Sequence, residues 1–268
     1  MNIIKFLENL SDPGLLNTPI SRRSSLIDLK NKGKDLALVS IPFALAATSS
    51  KTKAATMSMA SAALQASVND VLNFALTLEY LERDFYEEGL DSGVIPQADR
   101  DIFGLIYDHE VSHVEILTAA LDGNDRPRPT FDFTLGGDLN PFEDYAVFLA
   151  LSQAFEDTGV RAYKGQAGAL IDNNTLLEYA LQIHSVEARH ASQIRRMRGE
   201  KGWITRNETT IPSSFSAVYA GEENTVQLGI DLAGRFNNFG GVDAVTEAFD
   251  EPLTMAEVNA IAGIFITG

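Results

Sequence analysis

An internal repeat of acidic and histidine positions constrains this chain more than any other sequence feature. Three polar positions recur 77 residues later, so that Glu79, Glu110 and His113 have the partners Glu156, Glu187 and His190. Apolar positions such as Ile106 and Ile183 follow the same offset. Self-similarity of this kind indicates two related helical units that stack to bury a common core.

The first unit is predicted to be a pair of helices. Apolar residues spaced by three and four predict a helix from residue 65, which Gly89 and Gly93 are expected to close. Pro96 suits the first turn of a second helix that continues to about Leu121. The short connection predicts that the two helices are antiparallel neighbours.

The second unit follows a segment that is rich in helix breakers. Residues 122–140 contain several glycines and prolines and are long enough to cross the length of a bundle. Asn140 and Pro141 are predicted to begin a third helix that ends near Leu170. A fourth helix is predicted to begin at residues 172–174 and to end in a run of arginines followed by glycine.

These segments predict an all-α fold, an antiparallel four-helix bundle with one long crossover over residues 65–201. Residues 202–268 have no counterpart in the repeat and are predicted to be a C-terminal extension. We expect it to pack on the bundle or on a second subunit of a homo-oligomer. Within it, residues 213–237 look irregular, and Thr254 is expected to cap a short amphipathic helix.

The repeated polar positions predict a site for two metal ions. A Glu-x-x-His motif places both side chains on one helix face, with Cβ atoms about 5 to 6 Å apart. Two such motifs plus one glutamate from each remaining helix form a carboxylate site for a metal pair. The predicted ligands are Glu79, Glu110, His113, Glu156, Glu187 and His190. We expect Glu110 and Glu187 to bridge the ions. Glu79 with His113 would complete one ion, and Glu156 with His190 would complete the other. Such ligands suit iron or manganese, and zinc also accepts them.

The alternative is a set of buried salt bridges without metal. Burying four carboxylates together is very unfavourable unless cations neutralise them. The sequence places no lysine or arginine on the inward-facing stripes, which favours the metal site.

Three further residues are candidates for supporting roles. Glu82 lies on the stripe of Glu79, but its repeat partner is Gly159, so it is either an additional ligand or a partner of solvent. Tyr86 and Tyr163 lie two helical turns after the first glutamate of each unit. Each is predicted either to hold a ligand by a hydrogen bond or to fill the aromatic core.

Four polar neighbours of the motif are assigned to ordinary positions. His109 and His184 break the repeat and are expected at the surface or the rim of the bundle. Asp108 and Asp157 adjoin ligand positions but are expected on a solvated helix face.

Composition narrows the range of partners. A net charge of -16 argues against binding to nucleic acid or to anionic membrane surfaces, which are themselves polyanions. The chain has no cysteine, which excludes disulfides, iron-sulfur clusters and thiolate ligands. No apolar run approaches the length of a transmembrane helix.

The N-terminus has the features of a bacterial export signal. Residues 1–47 contain Arg22 and Arg23, then an apolar stretch at residues 36–47 with small residues at its end, in the order of a twin-arginine signal peptide. We expect export to the periplasm or cell envelope, with residues 48–64 as a linker. The alternative is a disordered basic leader with a chance arginine pair.

The paired motifs resemble the ferritin-like superfamily, which includes ferritins, rubrerythrins and manganese catalases, over residues 67–198. The chain is most similar to bacterial ferritin-like proteins related to desiccation-related proteins, whose members often carry a twin-arginine leader. Residues 247–254 also fit that group. The resemblance implies iron or manganese at the site.

A carboxylate-rich metal pair with open positions favours redox chemistry with dioxygen or peroxide, as a ferroxidase or a peroxide-scavenging enzyme. Manganese catalase-like dismutation of peroxide is the enzymatic alternative, since it needs no external electron donor. A non-catalytic metal-binding or desiccation-stress protective protein is the alternative from another class. Turnover distinguishes these classes.

Export is tested with a fusion of residues 1–50 to a folded reporter. We expect the reporter to reach the periplasm or envelope, and to remain in the cytoplasm when Arg22→Lys and Arg23→Lys are combined, because the twin-arginine pathway reads that pair. Cell fractionation measures the distribution. Export that survives the double substitution would contradict the twin-arginine signal.

Overall fold

Four long helices form the main body of the protein. The computed structural model describes residues 68–207 and 210–268, so the predicted signal peptide and linker lie outside the described residues. The helices are α1 (Val68–Ser92), α2 (Arg100–Leu121), α3 (Tyr145–Gln166) and α4 (Asn174–Met197). α1 packs chiefly on α2 and α3 chiefly on α4, while α1 also contacts α3. The predicted all-α bundle is confirmed.

Two of the predicted helix starts are wrong by a few residues. Pro96 accepts a hydrogen bond from the backbone N–H of Asp99, and α2 begins only at Arg100. In the same way, Asn140 accepts from the backbone N–H of Asp144, whose side chain then caps α3. Pro141 occupies the second position of its turn, which the fixed φ of proline suits, whereas Pro96 is the first residue of its turn. Each proline therefore lies in a turn before the helix.

The end of α1 also differs from the prediction. The helix continues through Gly89 and ends at Ser92, where Gly93 adopts a φ of 79°. A Cβ atom on Gly89 would overlap the ring of Phe148 on α3. This glycine therefore permits close packing of the two helices instead of ending the first one.

Apolar clusters line both ends of the bundle. One end is closed by an aromatic cluster that includes Phe85, Phe103 and Phe148. The other end is closed by a smaller cluster that includes Leu72 and Leu117. The repeated polar positions lie on the helical turns between the two clusters, so they are shielded from solvent along the bundle axis.

The C-terminal segment packs on α3. It contains a 3₁₀ segment (Ser213–Tyr219), a short antiparallel hairpin of β1 (Val226–Gln227) and β2 (Ile230–Asp231), then α5 (Gly241–Thr246) and α6 (Met255–Ala262). α6 contacts both α3 and the Ser213–Tyr219 segment. The predicted cap of α6 is present, because Thr254 and Glu257 form a capping box. The crossover is joined to the last residues by backbone hydrogen bonds, including one of 2.8 Å from Asp132 to Phe265.

A buried arginine anchors this segment. Arg161 on α3 is fully buried, and its Nε lies 2.8 Å from Oε1 of Glu222. The same guanidinium donates to the backbone carbonyls of Val218, Ala220 and Glu251. Its charge is therefore compensated by one carboxylate and several carbonyls, as a buried cation requires.

The prediction that Asp157 lies on a solvated helix face is wrong. Asp157 is only 3% exposed, pairs with Arg195 of α4 and accepts a 2.7 Å hydrogen bond from Tyr219. The C-terminal segment covers this side of α3, which the repeat could not indicate because the segment has no repeat partner. Asp108, on the uncovered helix α2, is exposed as expected.

Within residues 68–207 and 210–268, no helix combines the length and apolar character required to cross a membrane.

Gly165 provides a test of how closely the C-terminal segment contacts α3. A Cβ atom at Gly165 would overlap the backbone carbonyl oxygen of Leu253, so Gly165→Ala should lower the free energy of unfolding by about 1 to 3 kcal/mol. Gly104 of α2 has open space at its Cβ position, so Gly104→Ala should raise it by roughly 0.5 to 1 kcal/mol. Urea unfolding of both variants measures the difference. Equal effects of the two substitutions would contradict the close contact.

Candidate metal centre

The six predicted ligands converge in the middle of the bundle. Two overlapping groups of side chains each place one ligand atom per residue within 4.8 Å of one another. The first group is Glu79, Glu110, His113 and Glu187, and the second is Glu110, Glu156, Glu187 and His190. Glu110 and Glu187 are common to both groups. This sharing is the arrangement expected of bridging carboxylates.

Helix geometry explains the convergence. The Glu-x-x-His motif of α2 and that of α4 each place two side chains on one face, and the glutamates of α1 and α3 complete the set. All four glutamates are fully buried, and the two histidines are 7% and 5% exposed. The cluster is therefore a buried polar site within the apolar bundle.

Both imidazole rings direct Nδ1 toward the carboxylates. Nδ1 of His113 lies 3.1 Å from Glu79, 2.9 Å from Glu110 and 3.3 Å from Glu187. Nδ1 of His190 lies 3.0 Å from Glu110 and 3.2 Å from Glu156. The same nitrogen of each ring therefore faces the position between the carboxylates.

Two tyrosines hold the non-shared glutamates from the opposite half of the repeat. The Tyr86 hydroxyl donates a 2.6 Å hydrogen bond to Glu156, and the Tyr163 hydroxyl donates to Glu79. Burial, followed by the nearby carboxylates, raises the pKa of both phenols well above its ordinary value. Both phenols therefore stay protonated and remain donors. Each tyrosine thus donates to a glutamate of the other half, as an approximate twofold relation between the halves would produce.

Glu82 is a fifth buried carboxylate beside the cluster. It is only 2% exposed, which contradicts the alternative that it is a partner of solvent. Gly159 is its repeat partner, and a Cβ atom there would lie 2.9 Å from Glu187 and 3.2 Å from Glu82. The missing side chain at Gly159 therefore makes room for Glu82. Its role as a ligand stays a prediction.

The cluster has too little positive charge. Five carboxylates face two imidazoles, and burial together with the other carboxylates raises the pKa of Glu82 and Glu187 well above the ordinary value. Burial also raises the pKa of Glu110, to about 7, against the opposing hydrogen bonds from His113 and His190. Protons or metal cations must therefore supply the missing charge.

Burial and the neighbouring carboxylates have opposite effects on the pKa values of the two histidines. Burial alone would lower the pKa of His190, but Glu156 and Glu110 raise it to about 11. Hydrogen bonds to the carboxylates likewise raise the pKa of His113 against the effect of burial. In the absence of metal, both rings are therefore imidazolium cations that act as counter-charges.

The donor set fits a metal pair. Both oxygens of Glu187 and one oxygen of Glu82 accept no well-aligned hydrogen bond although they are buried. Such oxygens are costly unless a cation approaches them. Two divalent ions would satisfy these oxygens and offset the excess negative charge.

Sequence reasoning missed one contact to the cluster. His109 is half-buried at the rim, as expected, but its Nδ1 lies 2.9 Å from Nε2 of His190. The two rings are nearly parallel and meet edge to edge, with centroids 5.2 Å apart. The repeat gave no signal for this contact, because the residue equivalent to His109 is Val186. His184 is also half-buried but belongs to neither ligand group.

An apolar cavity of about 310 Å³ adjoins the cluster. It lies between the helices at the end where the smaller apolar cluster is found, and its lining includes Leu72, Ala75, Leu117 and Leu176. Tyr163 also lines it, and this is the residue whose hydroxyl donates to Glu79. The Tyr163 side chain therefore contacts both the cavity and the carboxylate cluster.

Comparison with known protein families places this region in a described family. A family model described as a ferritin-like domain matches residues 67–200, which is half of the chain and contains all six converging residues. No curated protein matches the sequence.

The charge balance of the cluster predicts how stability depends on pH. Because the folded state raises the pKa of Glu82 and Glu187, it holds protons that the unfolded chain releases above its ordinary pKa of about 4.3. The pKa of His190 is also raised, so the folded state keeps a proton that the unfolded chain releases above about pH 6.5. The metal-free protein should therefore lose stability as pH rises from about 5 to about 8.

Urea unfolding in the presence of a chelator measures this dependence. Glu82→Gln is the matched variant, since it removes one titrating group and keeps the shape of the side chain. It should reduce the loss of stability between about pH 5 and pH 8. A variant that shows the same loss as the wild type would contradict the raised pKa of Glu82.

Proposed function

We propose that this chain, which belongs to the family of ferritin-like domains, binds two metal ions, iron or manganese, between the two halves of its bundle. The observation that carries the proposal is the pair of ligand groups that share Glu110 and Glu187. Each group supplies enough donors for one ion. The shared carboxylates would bridge them.

The donor chemistry supports iron or manganese. The site offers carboxylate oxygens and imidazole nitrogens, and the chain contains no thiol. Such donors suit these metals at a pair of ions in a helical bundle. Zinc also accepts this donor set and would give a site without redox chemistry.

We further propose that the loaded site reacts with dioxygen or peroxide, as a ferroxidase or a peroxide-scavenging enzyme. The metal pair supplies the electrons for this chemistry when it is bound. The protein holds the ligands in place through Tyr86 and Tyr163. The cavity beside Tyr163 has room for a small uncharged reactant and is lined mainly by apolar groups, which keep bulk water away.

Two alternatives to this proposal are distinguished by whether the loaded protein turns over peroxide and whether it needs an electron donor. Manganese catalase-like dismutation uses peroxide as both oxidant and reductant, so it needs no electron donor. The chain has no cysteine and so cannot form a rubredoxin-like electron-transfer site. A rubrerythrin-type peroxidase would therefore need an external electron donor. A metal-binding or desiccation-stress protective protein would bind the ions and show no turnover.

Export to the periplasm or cell envelope is proposed from the N-terminal residues alone.

Metal analysis of variants tests the proposed site. We expect about two Mn(II) or Fe(II) ions per wild-type chain. Glu187→Ala should lose both ions, because a bridging carboxylate serves both, whereas Glu79→Ala should retain about one. Glu178→Ala is the control, since Glu178 is exposed on the same helix as Glu187. Metal should also raise the melting temperature of the wild type.

Turnover is then measured on the loaded wild-type protein. With iron, dioxygen or peroxide should oxidise the centre. With manganese, peroxide should be dismuted without an added donor if the catalase-like alternative holds. Two bound ions without either reaction would indicate a binding or protective protein. No bound ion, and no effect of metal on the melting temperature, would contradict the metal site itself.

A further inference from the structure

One hydrogen bond at the cluster has no counterpart in the other half of the repeat. Nε2 of His190 points away from the carboxylates and lies 2.9 Å from Nδ1 of His109. The planes of the two rings are within 10° of parallel. The equivalent partner of His113 would be Val186, 77 residues after His109, and a valine side chain can form no hydrogen bond.

The direction of this hydrogen bond follows from the ring chemistry. Nδ1 of His190 faces Glu110 and Glu156, so a metal ion held by those carboxylates would meet Nδ1 without its proton. A neutral imidazole then carries its proton on Nε2. That proton can be donated to Nδ1 of His109, whose own proton would be on Nε2.

A donor-acceptor contact of this kind changes a metal ligand in two ways. It fixes the tautomer and the orientation of the ring, and it raises the basicity of the coordinating nitrogen. Loss of such a partner typically reduces metal affinity about 10-fold to 100-fold. The two rings are nearly coplanar and meet edge to edge, so the N–H of one ring points along the lone pair of the other.

We propose that His109 is a positioning residue that makes the two metal positions unequal. The position served by His190 and Glu156 binds its ion more tightly than the position served by His113 and Glu79, so the ions are loaded in that order. The inference rests on the proposed metal site and goes beyond it, because the repeat alone predicts two equal positions. The protein thereby favours a singly loaded state before the pair is complete.

Titration of the metal-free full chain with Mn(II) alone tests the inference. Mn(II) electron paramagnetic resonance follows free and bound ions, and isothermal titration calorimetry gives the affinities. We expect two classes of site in the wild type. His109→Leu should weaken the tighter class about 10-fold to 100-fold and leave the weaker class unchanged.

Two further variants separate positioning from packing. His109→Gln keeps a carbonyl that can accept from His190 and should restore much of the affinity that His109→Leu loses. His184→Leu is the control, because His184 is half-buried and lies outside both ligand groups. It should retain the wild-type affinities. Failure of His109→Gln to restore affinity would show that the ring contributes only through packing and would overturn the positioning role.

The outcomes also separate this inference from the proposed function. Two equal sites in the wild type, or equal weakening of both sites by His109→Leu, would overturn the inference and leave the metal site intact. A wild-type protein that binds no Mn(II) or Fe(II) would overturn the proposed function and the inference with it.

Discussion

The burial of five carboxylates at one place is the constraint on which the rest of this structure depends. Each carboxylate would lose several kcal/mol of hydration free energy if it were left charged and unpartnered. Two imidazolium rings and two tyrosine hydroxyls offset part of that cost, and raised pKa values show that protons must offset more of it in the absence of metal. Apolar clusters at both ends of the bundle surround the site. A site that needs cations to this extent is most simply understood as one that binds them.

The two halves of the bundle are related by the repeat but have diverged where their surroundings differ. Gly159 stands where symmetry would place a second Glu82, and the space it leaves accommodates that carboxylate. Val186 stands where symmetry would place a second His109. Outside the cluster, only α3 carries the buried Arg161 that binds the C-terminal segment. The repeat therefore accounts for the six converging side chains, and single-residue departures from it account for the differences between the two halves of the cluster.

The sequence predicted the parts of the structure that depend on local periodicity. The ligand stripes of all four helices follow from the helical repeat, because residues three and four apart share a face and Glu-x-x-His needs only one helix. The turns at Pro96 and Asn140 were assigned to helices because proline is equally suited to a turn and to a first helical position. The burial of Asp157 depends on contacts with a segment distant in sequence that has no repeat partner. The contact between His109 and His190 joins two helices, and a single sequence carries no signal for such a pair.

We propose above all that two ions lie between the halves of the bundle and share two carboxylates. A crystal structure of the Mn(II)-loaded protein, with anomalous scattering recorded at the manganese absorption edge, tests it most directly. The account predicts two anomalous peaks inside the bundle, each within coordination distance of both Glu110 and Glu187, with Nδ1 of His113 at one peak and Nδ1 of His190 at the other. Peaks found only on the acidic surface, or an unchanged cluster without a peak, would contradict it.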